Sequence, residues 1–195
     1  MKFLWFEFLR KLTTIIAKII TPIHSPYSHK YIKYDHVMRA MTYLKSGDII
    51  LTRTHGDLST VVIPGFWKHA AIYAGDGKII DATSVGVTER HLADLMMTTD
   101  NVAVLRVANV VEDLSKGQLM VDYARLQIGK KYDLEMRVNR TDAMFCSELV
   151  YHAICHVFGK DYIELRERMG IKTLTPDDCY KAHGKFTVFL KIIKD

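Results

Sequence analysis

Proline and cysteine are scarce in this chain, four and three respectively in 195 residues, and nowhere do about 20 uncharged apolar residues run together. So little proline excludes collagen-like and proline-rich chains, and an odd, small cysteine count excludes a disulfide framework. A glycine-rich phosphate loop, a CxxC pair, HExxH, GxSxG and a calcium loop are all missing, which removes sequence support for nucleotide, iron–sulfur and zincin chemistry. No internal repeat or low-complexity tract occurs. What remains is 49% hydrophobic and 25% charged residues, the balance of a globular fold that needs no disulfide or metal for stability.

The net charge of +5 is unevenly placed. Residues 1–45 hold eight basic against two acidic residues, whereas the other 150 carry 19 basic and 20 acidic. The basic character therefore belongs to an N-terminal segment. Outside it, Lys and Arg are scattered rather than clustered with aromatics, so no nucleic-acid partner is expected.

From Phe3 to Ile20 the chain reads FLWFEFLRKLTTIIAKII, with Leu4, Trp5, Phe8, Leu12, Ile15, Ile16 and Ile19 at three- and four-residue spacings. That spacing predicts an amphipathic helix with Glu7, Arg10 or Lys11, Thr14 and Lys18 opposite, ended by Pro22. Four charges in twelve positions argue against spanning, and they also break the core that a cleavable signal requires. Two readings stand: residues 1–22 lie in a membrane interface, or their apolar face docks on the domain or on a second subunit of a homo-oligomer. The expected location is cytoplasmic or peripheral to a membrane.

A polar connector rich in Tyr and His leads to a helix near His36–Leu44. Gly47-Asp48 then introduces the strand IILT. After a loop over 55–67 come HAAIYAG, KIIDAT and GVTER, with Asp76-Gly77 between apolar runs as a hairpin signal. A short helix near 92–97, a strand near 102–107, helices over about 114–127, 144–158, 161–169 and 176–182, and a final strand FTVFLKII complete the pattern. Consecutive strands flanked by helical blocks predict an α+β fold with a mainly antiparallel sheet. Residues 1–43 form the helix and connector, and 44–195 the main domain.

Among the cysteines, Cys155 and Cys179 read as buried packing residues. Cys146 differs, because polar Arg140, Thr141 and Asp142 precede it while Leu149, Val150, Ala153 and Ile154 follow at helical spacing. It falls in the first turn of a helix, where unpaired N–H groups lower a thiol pKa and can hold an oxyanion. A thiolate gains from an imidazole beside it and the imidazole from an orienting group. His69 opens a strand after Pro64-Gly65-Phe66-Trp67, and a hairpin centred on residue 75 would place Asp81 opposite it.

The stretch GDIILTRTHG…FWKHAAIYAGDGKIIDAT, with GKKYD at 129–133 and FCSELVYHA at 145–153, resembles the core signature of the NlpC-type papain-like superfamily. The order His69, Asp81, Cys146 is similar to its circularly permuted branch: YiiX-like bacterial proteins, related viral proteins and the lecithin:retinol acyltransferase group. An acid at the third place points to the YiiX-like members. The resemblance covers about Leu44 to Phe158 and implies a permuted papain-like fold. It also implies Cys146 as nucleophile, His69 as general base and then acid, Asp81 as orienter and Tyr132 in the acyl pocket, although Tyr132 would equally serve as packing at the end of the preceding helix.

Glu148, His152 and His156 lie at i, i+4 and i+8, a metal-ligand spacing that also suits a solvated helix face with Glu148 as a structural partner. The expectation is a cysteine amidase, esterase or acyltransferase without cofactor, acting on a peptide or lipid acyl substrate through a thioester. The alternatives are a non-catalytic membrane-associated or virion scaffold on the same fold, and a metal protein using the Glu148 face.

Overall fold

The computed structural model describes residues 32–55, 63–136, 138, 140–160, 162–168, 170–182 and 184–193. The amphipathic stretch 3–20 lies outside them. No helix among the described residues is long and apolar enough to cross a membrane.

Six antiparallel strands form one sheet: β1 (Ile49–Arg53), β2 (His69–Gly75), β3 (Lys78–Thr83), β4 (Gly86–His91), β5 (Asn101–Val107) and β10 (Phe186–Ile192), in the order β10-β5-β1-β2-β3-β4. The central strands are mostly apolar because both faces are covered. Alternation along β1 sends Ile49 and Leu51 into one core and Ile50 into the other, and β2 does the same with Ala70 and Ile72 against Ala71 and Tyr73. On the first face pack α4 (Ser115–Arg125), through Met120, Val121 and Ala124, and α5 (Cys146–Phe158), through Leu149, Val150 and Ala153. On the second pack α1 (Tyr34–Tyr43), through Val37 and Ala40, and α2 (Leu92–Met96), through Leu92, Leu95 and Met96. The mixed architecture with a mainly antiparallel sheet is the expected α+β fold.

Two glycines let the start of β1 meet α4. Gly47 has φ +86°, and a Cβ built on it would stand 2.4 Å from the Gly117 Cα; one on Gly117 would stand 2.1 Å from the Ser46 carbonyl oxygen. Beside this contact, buried Asp48 takes both arms of the Arg106 guanidinium, at 2.6 and 2.7 Å. Burial nevertheless pushes its carboxyl above the ordinary range, with Arg106 pulling the other way.

Two expectations are corrected. The described part of the helix expected over 161–169, residues 162–168, is not helical: β8 (Arg166–Arg168) pairs antiparallel with β9 (Ile171–Thr173), and Gly170 has φ +76°. The period-two placement of Arg166 and Arg168 sends both to Asp178, at 3.3 and 2.7 Å. The helix expected from 114 is preceded by a separate turn, α3 (Ala108–Glu112). The β2–β3 hairpin closes on Asp76 and Gly77, both at positive φ as a primed turn requires, so its centre lies past residue 75, and an irregularity between Tyr73 and Gly75 shifts the register back by only one. Asp81 therefore pairs with Ala71 rather than with His69.

Candidate active site

A pair of short parallel strands, β6 (Lys131–Tyr132) and β7 (Ala143–Met144), leads into α5. Phe145 is extended and has no capping side chain, so the helix start is closed from within: the Glu148 carboxylate accepts the Phe145 N–H at 3.4 Å. Cys146 is the first helical residue and is 1% exposed. Its sulfur accepts the Ser147 N–H from the first turn and the Ala70 N–H from β2. Ala70 can supply that bond because the β2–β3 ladder ends at the Ala71–Asp81 pair, one residue short of it.

His69 lies diagonally across the ladder from Asp81, two residues from its direct partner, and side chains at that offset on one face are still within reach. Its Nε2 is 2.8 Å from Asp81 Oδ2, which leaves Nδ1 for the hydrogen bond with Cys146. Asp81 is fully buried, and Arg90 on β4 grips it as well, Nη2 donating to Oδ2 at 2.6 Å and Nε to Oδ1 at 3.1 Å. The sequence-derived residues Cys146, His69 and Asp81 thus meet in one hydrogen-bonded chain.

The electrostatics follow from these contacts. Burial opposes the imidazolium, but hydrogen bonds with Asp81 and Cys146 and the charges behind them hold the His69 pKa near 10. Burial likewise works against ionised Asp81, yet His69 and Arg90 keep its carboxyl near 2. Burial raises the Cys146 thiol, and the His69 contact with the two N–H donors overrides it, so the thiol lies below its ordinary range. Together these favour a thiolate beside an imidazolium. Tyr132 is the fourth member: its hydroxyl hydrogen-bonds Cys146, and burial followed by the nearby Cys146 and Asp133 charges pushes its pKa well up, so it remains a donor.

The other cysteines divide. Cys179 is buried in the core and its thiol is pushed up by desolvation, whereas Cys155, expected to be buried, is half-exposed with Sγ 3.9 Å from the Lys160 carbonyl oxygen. All three are free. The metal alternative is not supported by the placement of its residues. Glu148 turns into the helix cap and lies 3.4 Å from His152, while the His156 ring tilts against Tyr123 with centroids 4.9 Å apart. Among the described residues, no three His, Cys, Asp or Glu side chains are grouped to hold a metal.

Two further contacts went unread in the sequence. Asp177, at the start of α6 (Pro176–Lys181), accepts the N–H groups of Phe66 and Trp67 at 2.8 and 3.3 Å, fixing the approach to His69. Ser147 Oγ donates to the Leu174 carbonyl at 2.6 Å, fixing the helix start. The T-P-D-D string at 175–178 announces a capped helix, but nothing in it points to residues more than a hundred positions upstream.

Residues 43–184 match the family of permuted papain-like amidase enzymes, YaeF/YiiX, C92. The chain belongs to this family. As a C92 amidase it is a papain-like hydrolase of the permuted kind. The C92 amidase also resembles the crystal structure of the metalloprotein YiiX from Escherichia coli O157:H7, with TM-score 0.65 over 77% of this chain and 98% of that one, at 16% identity. That likeness is one of fold. No curated protein matches the C92 amidase chain.

Proposed function

We propose that this amidase cleaves its substrate through a thioester on Cys146, and the observation that carries the reading is the hydrogen-bonded chain Asp81–His69–Cys146 at a helix start. The Cys146 thiolate attacks the acyl carbon and the carbonyl electrons move to oxygen. The Cys146 backbone N–H at the helix start faces that oxyanion, a donor worth about 3 kcal/mol in comparable sites, and the Tyr132 hydroxyl lines the same pocket. His69 as imidazolium protonates the departing nitrogen and the C–N bond breaks. Neutral His69 then takes a proton from water, the resulting hydroxide opens the thioester, and thiolate and carboxylic acid are released. An ester would follow the same steps, and an acceptor other than water would make the protein an acyltransferase. Asp81 orients the ring throughout.

YiiX is described as a metalloprotein, but among the described residues the donor side chains do not form a metal-binding set, so no step is routed through a metal. An electrophilic acyl probe tests the reading. It should label Cys146 in the folded protein, label Cys155 more slowly, reach Cys179 only after denaturation, and lose Cys146 labelling in His69→Ala. Absence of Cys146 labelling would overturn the thioester reading.

The substrate class proposed is a lipid-linked or membrane-proximal acyl group, supported by the basic amphipathic pattern of residues 1–22. Vesicles containing anionic lipid should bind the full chain, less so as salt is added, and should not bind the chain lacking residues 1–22. Full binding after that deletion refutes the membrane assignment.

A further inference from the structure

Asp81 departs from a simple third member of a triad in having two cationic partners. Its carboxylate is fully buried, and Oδ2 is shared between His69 Nε2 at 2.8 Å and Arg90 Nη2 at 2.6 Å. Among the described hydrogen bonds, Oδ1 receives only Arg90 Nε, at 3.1 Å. The register explains the placement: Asp81 pairs with Thr88 and Ile79 with Arg90, so Arg90 lies diagonally from Asp81 on the side of the carboxylate away from His69's strand. The neighbouring Glu89 goes elsewhere, to Lys78 and Arg125, at 3.4 and 3.1 Å.

We propose that Arg90 is a positioning residue of the hydrolytic centre: its two-armed grip fixes the plane of the Asp81 carboxylate and, by sharing Oδ2, limits how strongly Asp81 holds the proton on His69. A bidentate guanidinium sets carboxylate orientation in a way that a single donor cannot. It also places a second positive charge behind Asp81, which disfavours the imidazolium that the same carboxylate stabilises. His69 must both carry a proton beside the thiolate and surrender it to the leaving group, and an unopposed buried carboxylate would make the second task harder. The charged and titratable groups involved are Arg90 on β4, Asp81 on β3, His69 on β2, Cys146 on α5 and Tyr132 on β6, with Asp133 acting on Tyr132.

The proposal rests on the thioester reading, and one experiment separates the two. Iodoacetate alkylation of Cys146, followed by mass spectrometry of its peptide between pH 4 and 11, should give a bell. The rate rises as the thiolate forms and falls when His69 loses the proton that attracts the reagent's carboxylate, near pH 10 in the wild type. In Arg90→Gln the alkaline limb should move up by about one pH unit, because the charge opposing the imidazolium is gone. In Arg90→Lys, which keeps the charge but has no fork, it should move up by about half as much. An unmoved limb in folded Arg90→Gln overturns the proposal, and where that variant does not fold, an unmoved limb in Arg90→Lys does so. A wild-type protein without the bell overturns the thioester reading and the proposal together.

Discussion

Replacing Cys146 with alanine should abolish hydrolysis of a fluorogenic N-acyl amide, a fall in kcat/KM of roughly a millionfold, and His69→Ala should do almost as much harm. The two losses should not add. Each removes the same event, attack by an activated sulfur, so the double variant should be no slower than either single one. Serine at 146 is expected to be inactive as well: the N–H donors and the imidazole bring a thiol into the working pH range, but an alkanol lies far above it. Cys146 is a core residue, 1% exposed, and His69 is partly buried, so melting curves of the variants are the necessary companion measurement. A His69→Ala protein that folds and retains more than about a hundredth of wild-type kcat/KM would remove His69 from the mechanism.

Gly47→Ala should remove a large share of the protein's stability. A methyl there meets the Gly117 backbone, with the Cα at 2.4 Å and the carbonyl oxygen at 2.6 Å, and neither can swing away as a side-chain tip would. The backbone at φ +86° adds strain of its own. Overpacking and left-handed strain together amount to about 4 kcal/mol, a large share of the ~5–15 kcal/mol that holds a domain folded. Gly129 supplies the control. Its φ is +93° but a Cβ there would meet nothing within 4 Å, so Gly129→Ala should cost only the strain, about 1 kcal/mol. The difference is read as the shift in urea midpoint between the two variants; equal midpoints would mean that β1 and α4 can part without cost.

How much of this was legible varies with the range of the interaction. The position of Cys146 at a helix start was readable because polar residues stop and a helical apolar period begins within four positions. Asp76-Gly77 identified the hairpin that brings His69 and Asp81 together, since primed turns demand those residues. The register within it was not readable. The turn on Asp76 and Gly77 sets Gly75 opposite Lys78, the irregularity beside Tyr73 shifts the ladder back by one, and Asp81 ends two positions from its expected partner while a diagonal contact still forms. Arg90 gave no signal at all: an arginine on a half-exposed strand has the same local appearance whether it faces water or a buried carboxylate. Residues 161–169 were misread because Tyr162, Leu165 and Met169 recur at three- and four-residue spacings, and only Asp178 distinguishes a hairpin by drawing Arg166 and Arg168 to one side. The amphipathic pattern of residues 3–20 lies outside the described residues, and its role stands on composition and spacing.

The segment from Leu174 to Asp177 touches both halves of the centre, taking the Ser147 hydroxyl on one carbonyl and the Phe66 and Trp67 amides on one carboxylate. Both clasps belong to a part of the chain made after the histidine, the aspartate and the cysteine. During synthesis the ribosome therefore delivers every reacting side chain before the brace that aligns them, and the thiol should stay a bystander until that brace emerges. A hydrolase wired in this way completes its structure and its reactivity in the same late step.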